Sequence, residues 1–320
     1  MAEKYVVGID LGGTKIYTAL ADLKGRLLAE VQVPTGASGG MKQVLGRMTE
    51  TVKTVQGQAG VSGQPLCIGV GAPGMVDAQR GFIFFAPNLG WHDVPLAELM
   101  EKELAVPVRL DNDANLAALG ENVYGAGQGT TEMIYVTVST GVGGGLILNG
   151  NLYQGAAGGA GEIGHMILEP DGPQCTCGSR GCLEALSSGT AMARRAVELV
   201  EAGHGRAVLA LAGGEKKRIT SRTVARAAAD GDPEAAEIIG SAARYLGIGL
   251  VNLVNLLHPE LIVLGGGVMQ IGEPIWSGIR REIDSRALEV AKKKLRLAPA
   301  RLGARAGVMG AAALACNAII

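Results

Sequence analysis

The feature that most constrains the fold is a strand, a glycine-rich turn and a returning strand, which occur twice in the chain. In the first copy, the apolar residues 5–9 run into DLGGTK, and a strand returns over residues 16–21. In the second copy, residues 133–138 run into STGVGGG, and residues 146–148 return. Because the same order of elements recurs at a long period, we predict one α/β architecture that is used twice.

Helices and further strands follow each copy, and two of the later strands end in glycine, at GAPG and at GGG. One helix is predicted to begin at Asp232-Pro233, an N-cap residue followed by proline, and to end before Pro259. The predicted helices lie at 41–55, 111–123, 233–257 and 307–319. The further predicted strands are one that ends at 31–33 and three that span 66–70, 106–110 and 261–264.

Length and composition indicate two domains and exclude two classes of partner. The chain has 320 residues, of which 48% are apolar, and its net charge is −1 without a cluster of Lys and Arg typical of nucleic-acid binding. The N-terminus lacks a signal-peptide pattern, and the longest apolar stretch, 246–257, is interrupted by Asn252 and Asn255. We therefore expect a cytoplasmic protein that binds neither nucleic acid nor membrane.

The first glycine turn, Asp10 to Lys15, has the composition of a phosphate-binding loop. Glycine leaves the backbone N–H groups accessible to phosphate oxygens, Thr14 adds a hydroxyl, and Lys15 adds a positive charge. Asp10 has the chemistry to hold Mg²⁺ through water. Taken alone, the turn is equally compatible with an ordinary hairpin.

The second turn, Thr140 to Gly145, lies at the equivalent place in the second half, so that two turns together would hold a polyphosphate. The glycines 265–267 after a later strand would allow an adenine and a ribose to lie against bare backbone. Any strand-to-helix turn favours glycine, so this third site is weak by itself. Neither a Walker A loop nor a dinucleotide-binding fingerprint is present in the first turn.

Asp111, Asn112 and Asp113 lie where a predicted strand becomes a helix. One interpretation is capping, since Asp and Asn are preferred at helix N-termini. The other is catalysis, because a carboxylate that accepts the proton of a sugar hydroxyl would assist phosphoryl transfer to it.

One histidine and three cysteines, His165, Cys175, Cys177 and Cys182, are close in sequence. This set matches a closed structural Zn²⁺ site, although the C-x-C spacing departs from the commoner C-x₂₋₄-C. The alternative is three reduced cysteines and an unrelated histidine. A zinc ion here would fix the carboxylates of Glu162 and Glu184, which are suited to sugar hydroxyls but are also compatible with solvated surface acids.

These strings together resemble the ROK family (repressors, open reading frames and sugar kinases), closest to its bacterial ATP-dependent glucokinases. The matching strings occur in family order over nearly the whole chain: GIDLGGTK, GAPG, PNLGW, DNDAN, STGVGGG, GEIGH, CTCGSRGCLEA and LGGGV. The resemblance implies an α/β fold of the actin-like ATPase (RNase H-like) type, with two α/β domains flanking a catalytic cleft. The expected domains are residues 1–113, completed by the C-terminal helix 305–320, and residues 114–304, with a zinc-binding insert at 161–185.

The resemblance also implies roles for individual residues, with Asp113 as the catalytic base on the sugar 6-hydroxyl. His165 would have two functions, one ring nitrogen on zinc and the other towards the sugar. The candidates are Gly71, Asn88, Asn112, Asp113, Glu162, His165 and Glu184 for the sugar; Asp10, Gly12, Gly13, Thr14, Lys15, Thr140, Gly141, Gly143, Gly265 and Gly266 for ATP with Mg²⁺; and His165, Cys175, Cys177 and Cys182 for structural Zn²⁺.

The implied reaction is transfer of the ATP γ-phosphoryl group to the 6-hydroxyl of glucose, in a homodimer or homotetramer. Asp111 stands where the family often has Glu, which is neutral because this residue is not expected to be catalytic. Kinases for N-acetylmannosamine, N-acetylglucosamine, fructose or allose share these strings, and polyphosphate or ADP stays open as the donor.

Two other classes of protein are alternatives. Sugar-sensing repressors of the family carry a DNA-binding domain ahead of the sugar-binding body, and we expect none here because the first strand begins five residues from the start. A non-catalytic actin-like filament protein is disfavoured by the candidate sugar-binding Glu and His residues.

Overall fold

The computed structural model describes residues 4–156 and 158–319. By packing, the chain divides into two compact units. The first comprises Met1–Tyr135, Gly145–Gly161 and Ala300–Ile320, and the second comprises Val136–Gly144 and Glu162–Pro299.

The first unit begins with three antiparallel strands and continues with alternating helices and strands, as apolar runs separated by turn residues predict. Its strands are β1 (Tyr5–Leu11), β2 (Lys15–Asp22), β3 (Leu27–Pro34), β4 (Ile68–Ala72), β5 (Met75–Asp77), β6 (Phe82–Ala86), β7 (Trp91–Val94) and β8 (Val108–Asn112). Its helices are α1 (Gly40–Ala59), α2 (Leu96–Leu104) and α3 (Asp113–Tyr124).

The main sheet of this unit has the strand order β3-β2-β1-β4-β8, with β1, β4 and β8 parallel to one another. The register aligns Asp10 with Gly71, and Gly71 with Asp111, across these three strands. Since the carboxyl ends of parallel strands meet at one edge of a sheet, the segments that follow Leu11, Ala72 and Asn112 begin at that edge. This is the edge at which open α/β sheets bind their ligands.

The last helix, α11 (Ala306–Asn317), packs within the first unit. Its buried residues form clusters with the sheet and with α3, for example Val308 with Tyr17 and Ala311 with Leu116. Arg305, directly before the helix, forms an ion pair with Glu30 on β3. The packing division therefore assigns α3 and α11 to one unit, whereas the sequence-based boundary follows Asp113; that domain division stays a prediction.

The second sheet has the order β11-β10-β9-β12-β13, the same pattern as the first, as the repeat predicts. Its strands are β9 (Met133–Val138), β10 (Val142–Leu148), β11 (Asn151–Leu152), β12 (Leu261–Gly265) and β13 (Arg296–Pro299). The helices of the second unit are α4 (Leu183–Ser187), α5 (Gly189–Glu201), α6 (Arg206–Leu211), α7 (Ser221–Ala229), α8 (Pro233–Leu257), α9 (Glu273–Arg286) and α10 (Glu289–Lys292).

Helix α8 begins as the sequence predicts, since the Asp232 side chain accepts a hydrogen bond from the Ala235 N–H at 2.7 Å. Contrary to the sequence-based expectation, this helix is long and apolar enough to cross a membrane. Its most apolar window is nevertheless 61% buried inside the structure, which is the pattern of a core helix.

The small antiparallel sheet β5-β6-β7 is an addition that the sequence analysis did not predict. Its strands are short, and Phe84 and Phe85 are both about 40% exposed, so the alternation of apolar and polar residues typical of a half-buried strand is missing.

Candidate active site

The first glycine turn joins β1 to β2 and is held by its own backbone and by Thr35. The Gly12 N–H donates to the Lys15 carbonyl at 2.9 Å, and the Thr35 hydroxyl donates to the Gly12 carbonyl at 2.6 Å. The N–H groups of Gly13 and Thr14 donate no hydrogen bond to any of the described residues. Two consecutive free N–H groups in a fixed turn are suited to phosphate oxygens.

Asp10 stands at the end of β1 against the first turn of α11. A Cβ atom at Gly307 would lie 2.8 Å from its carboxylate, so only glycine permits this approach. Burial raises the pKa of the Asp10 carboxyl above its ordinary value, and the charge of Lys15 acts in the opposite direction. In the described part of the chain, this carboxylate accepts no hydrogen bond, which leaves its oxygens available to a hydrated cation.

Asn88 lies beside the first turn, because a Cβ atom at Gly13 would be 2.9 Å from the Asn88 Cβ. The Asn88 side chain is exposed. A glycine at position 13 therefore brings a predicted sugar-binding amide close to the predicted phosphate-binding turn.

The DNDAN segment is both a helix cap and a candidate site. Asn112, and not Asp113, caps α3: its side-chain oxygen accepts hydrogen bonds from the N–H groups of Ala114 and Asn115. Its amide nitrogen donates to the Gly74 carbonyl at 3.2 Å. Asp113 is the first residue of the helix and lies next to Gly71, where a Cβ atom would be 3.6 Å from the Asp113 Cα.

Asp111 fixes the DNDAN segment through hydrogen bonds to its side chain, a role that the sequence did not predict. Its buried carboxylate accepts hydrogen bonds from the Asn112 N–H at 2.7 Å, from Asn115 at 2.9 Å and from Gln154 at 2.5 Å. Burial raises the pKa of Asp111, and the three hydrogen bonds act against that shift. Gln154 lies 43 residues away, so no local pattern could reveal it.

The second glycine turn, between β9 and β10, has different supports. The Ser139 N–H donates to the Gly141 carbonyl at 2.8 Å within the turn, and the Gly189 N–H donates to the Ser139 carbonyl at 2.7 Å. The N–H groups of Thr140 and Gly141 have no acceptor within the part of the chain that is described. The second turn therefore presents the same pair of free donors as the first, while Gly143 lies within β10.

A cavity of about 680 Å³ opens beside this turn, entirely within the second unit. Its walls combine hydroxyl groups with apolar side chains and one cation, Arg222. Gly265 is the last residue of β12, and Gly266 follows it in the chain. The next residue, Gly267, lines the cavity. The cavity is lined by Ser139, Thr140, Gly189, Thr190, Ala193, Ile219, Thr220, Ser221, Arg222, Ala225, Gly267, Val268, Gln270 and Ile271.

The four predicted zinc ligands are brought together. One ligand atom from each of His165, Cys175, Cys177 and Cys182 lies within 4.8 Å of all the others. The distance from the His165 Nδ1 to the Cys175 Sγ is 3.8 Å, and that from the Cys177 Sγ to the Cys182 Sγ is 3.7 Å. Zn–S bonds of about 2.3 Å in a tetrahedron give edges of about 3.8 Å, so the donor set fits zinc.

The remaining nitrogen of His165, Nε2, lies 3.8 Å from a Glu162 carboxylate oxygen. Glu162 is exposed, whereas Glu184 is half-buried and contacts the second glycine turn. A histidine with Nδ1 in the cluster and Nε2 beside a carboxylate has the arrangement that two functions would require.

The chain is similar to known proteins over nearly its whole length. The ROK family profile matches residues 6–318. A glucokinase of Halalkalibacterium halodurans is 39% identical over 97% of this chain and 94% of its own length. Xylose repressors from Caldicellulosiruptor and Bacillus are also similar, at 30% to 32% identity, and this chain covers 75% to 77% of their length.

Two crystal structures resemble the fold closely. A ROK hexokinase from Thermus thermophilus superposes with a TM-score of 0.84 at 40% identity and covers 98% of this chain and 99% of its own. A ROK family glucokinase from Streptomyces griseus, in complex with glucose and AMPPNP, superposes with a TM-score of 0.81 at 36% identity, with coverage of 98% and 99%. The predicted α/β fold of the actin-like ATPase type is thereby confirmed.

Proposed function

The chain belongs to the ROK family, and on this premise we propose that it is a glucokinase, which transfers the γ-phosphoryl group of ATP to the 6-hydroxyl of glucose. The observation that carries the proposal is the pair of glycine turns, each with two consecutive backbone N–H groups free of protein acceptors. Such donors suit a polyphosphate, and a cavity of about 680 Å³ with hydroxyl and apolar walls suits a nucleoside.

We assign the base to Asp113 and the sugar contacts to Gly71, Asn88, Asn112, Glu162, His165 and Glu184. The position of Asp113 at the carboxyl end of β8, on a segment fixed by Asp111, supports this assignment, because a carboxylate there would accept the proton of the attacking hydroxyl. The nucleotide would contact Gly12, Gly13, Thr14, Lys15, Thr140, Gly141, Gly143, Gly265 and Gly266. We expect the two domains to close on the sugar, because closure would exclude water during the transfer.

Two metals are part of the proposal. Asp10 would hold Mg²⁺ through water, and the ion when bound would offset the developing charge on the phosphates. Structural Zn²⁺ would be held by His165 and the three cysteines, whose spacing supports this assignment. Elemental analysis of the purified protein is expected to give one zinc per chain, and a protein that is fully folded without zinc would contradict the assignment.

Sequence identity to glucokinases exceeds that to xylose repressors, which favours the kinase, and the turns have the form that phosphate binding requires. Other ROK kinases, with N-acetylmannosamine, N-acetylglucosamine, fructose or allose as substrate, are the second candidates. We further propose a cytoplasmic location and a homodimer or homotetramer.

A coupled assay with ATP and Mg²⁺ across these hexoses tests the proposal, and glucose is expected to give the highest kcat/KM. Asp113→Asn should lower kcat by about 10²–10⁴-fold, because the hydroxyl loses its proton acceptor, while glucose binding measured by calorimetry persists. Ordinary turnover by this variant would refute the base assignment. A preference for another hexose would refute glucose but retain the kinase.

A further inference from the structure

Glu184 contacts the second glycine turn and the cysteine cluster at the same time. It lies in the first turn of α4, two residues after Cys182. Its Oε2 accepts a hydrogen bond from the Val142 N–H at 2.9 Å. Its Oε1 lies 3.3 Å from the Thr176 hydroxyl and 3.9 Å from the Cys175 Sγ. The two oxygens of one carboxylate thus join the insert to the turn.

The contact with the turn depends on a glycine. A Cβ atom at Gly141 would lie 2.3 Å from the Glu184 Oε2, so a side chain there would displace the carboxylate. Val142 is buried, and its N–H directly follows the two free N–H groups of Thr140 and Gly141. A hydrogen bond from a backbone N–H to a carboxylate is stronger than one to a neutral acceptor. Glu184 therefore holds the residue that adjoins the free donors.

We propose that Glu184 is a positioning residue for nucleotide binding, in addition to any contact with sugar. The proposal rests on the proposed function, since it takes the second turn as part of the nucleotide site. Free N–H groups bind phosphate tightly only when their orientation is fixed in advance. Through Glu184, the same insert that carries the cysteines would support the phosphate-binding turn.

Nucleotide affinity without sugar separates this role from a role in sugar binding alone. Isothermal titration calorimetry with AMP-PNP and Mg²⁺, in the absence of any sugar, measures it. If Glu184 acted only on sugar, its replacement would leave this affinity unchanged. If it positions the turn, its loss leaves the buried Val142 N–H without an acceptor and weakens the binding.

Glu184→Leu is expected to raise the Kd for AMP-PNP about tenfold, because the backbone bonds from Gly189 and Thr190 to the turn remain. Glu184→Gln retains a side-chain oxygen and should stay within about twofold of the wild type. Glu162→Leu is the matched control: this carboxylate is also a candidate sugar ligand, and it lies beside His165, 3.8 Å from its Nε2. It should lose sugar binding and keep its affinity for AMP-PNP.

Zinc content is measured in each variant. Equal AMP-PNP affinity in Glu184→Leu and the wild type would overturn the proposal, and so would a loss of zinc that accompanies weaker binding, because the effect would then come from the insert. If the leucine variant does not fold, Glu184→Ala serves with an expected loss of about fivefold, since the alanine leaves room for water. A wild-type protein that binds no AMP-PNP would instead refute the proposed function.

Discussion

The two glycine turns present the same pair of free backbone donors but are supported in different ways. The first turn is held by a neutral hydroxyl, that of Thr35, and lies beside a carboxylate, Asp10, that accepts no hydrogen bond among the described residues. The second is held by a charged carboxylate, Glu184, which is engaged with the turn's own backbone. The repeated architecture therefore preserves the two donors, whereas the neighbouring carboxylate has no hydrogen bond among the described residues in one copy and binds the protein backbone in the other.

This difference assigns the two turns different tasks. A carboxylate that bonds a buried N–H is part of the scaffold, because its charge is already used within the protein. A buried carboxylate without hydrogen bonds costs stability, and such sites persist where ligand binding needs them. We therefore expect replacement of Asp10 to change the metal requirement, and replacement of Glu184 to weaken nucleotide binding without changing the metal requirement.

The strongest test of this contrast is Asp10→Asn. We expect kcat to fall by about 10²–10³-fold and the Mg²⁺ requirement to rise, because an amide is a poorer partner for a hydrated cation. Steady-state kinetics over a Mg²⁺ series measures both effects, and Asp284→Asn, at an exposed position on α9, is the control. An unchanged Mg²⁺ requirement would remove the distinction between the turns.

The same variant should change the dependence of stability on pH. Burial raises the folded-state pKa of Asp10 above the ordinary value that it has in the unfolded chain, so the folded state binds more protons than the unfolded state between these two pKa values. Wild-type stability therefore falls as the pH rises through this window. Without Mg²⁺, Asp10→Asn should melt above the wild type at neutral pH, and the difference should shrink in acid; a difference that grows in acid would contradict the sign.

A smaller effect is expected from Gly307→Ala, which adds a methyl group 2.8 Å from the Asp10 carboxylate. In a helix, alanine normally stabilises by about 1 kcal/mol relative to glycine, whereas overpacking costs about 1–3 kcal/mol. The Mg²⁺ concentration for half-maximal activity should rise about tenfold, with a lower melting temperature. Gly46→Ala in α1, where a Cβ meets nothing within 4 Å, should instead raise the melting temperature and leave the Mg²⁺ dependence unchanged.

The smallest effect is expected from Thr35→Val, which removes the hydroxyl that donates to the Gly12 carbonyl. A neutral hydrogen bond contributes about 1 kcal/mol, so AMP-PNP affinity should fall about fivefold, less than for Glu184→Leu. Thr35→Ser should restore most of the affinity. A loss from Thr35→Val that exceeds the loss from Glu184→Leu would reverse the ranking of the two supports.

The sequence predicted the features that local patterns encode. Buried strands such as β1 and β9 end in recognisable turns, and the His165 and cysteine spacing predicted a cluster that the structure assembles. The contact between Glu184 and Val142 could not be predicted from the sequence, because these residues are 42 positions apart and only the fold brings them together. The cavity walls at 219–222 and at Val268, Gln270 and Ile271 were missed for a related reason: the start of a helix, such as that after Thr220, has no signature that distinguishes a ligand-binding end from any other.

Helix α11 shows why burial is harder to predict than helicity. Its Ala-rich composition predicted a helix, but eight of its twelve residues are buried and Asn317 is its one polar residue, so no apolar stripe indicates which neighbour it contacts. Asn112 and Asp113 show the complementary limit. Composition placed a cap at this point, and only the hydrogen bonds identify Asn112 as the capping residue and leave Asp113 to begin the helix.

The placement of α11 has a consequence for biosynthesis. The helix inserts its buried residues among β1, α3 and their neighbours, yet it leaves the ribosome after every other helix and strand described here. During translation, the nascent first unit must therefore wait with part of its apolar surface uncovered until residues 306–317 arrive. Chains that stall or are cut before this point are the ones that chaperones and proteases would find exposed.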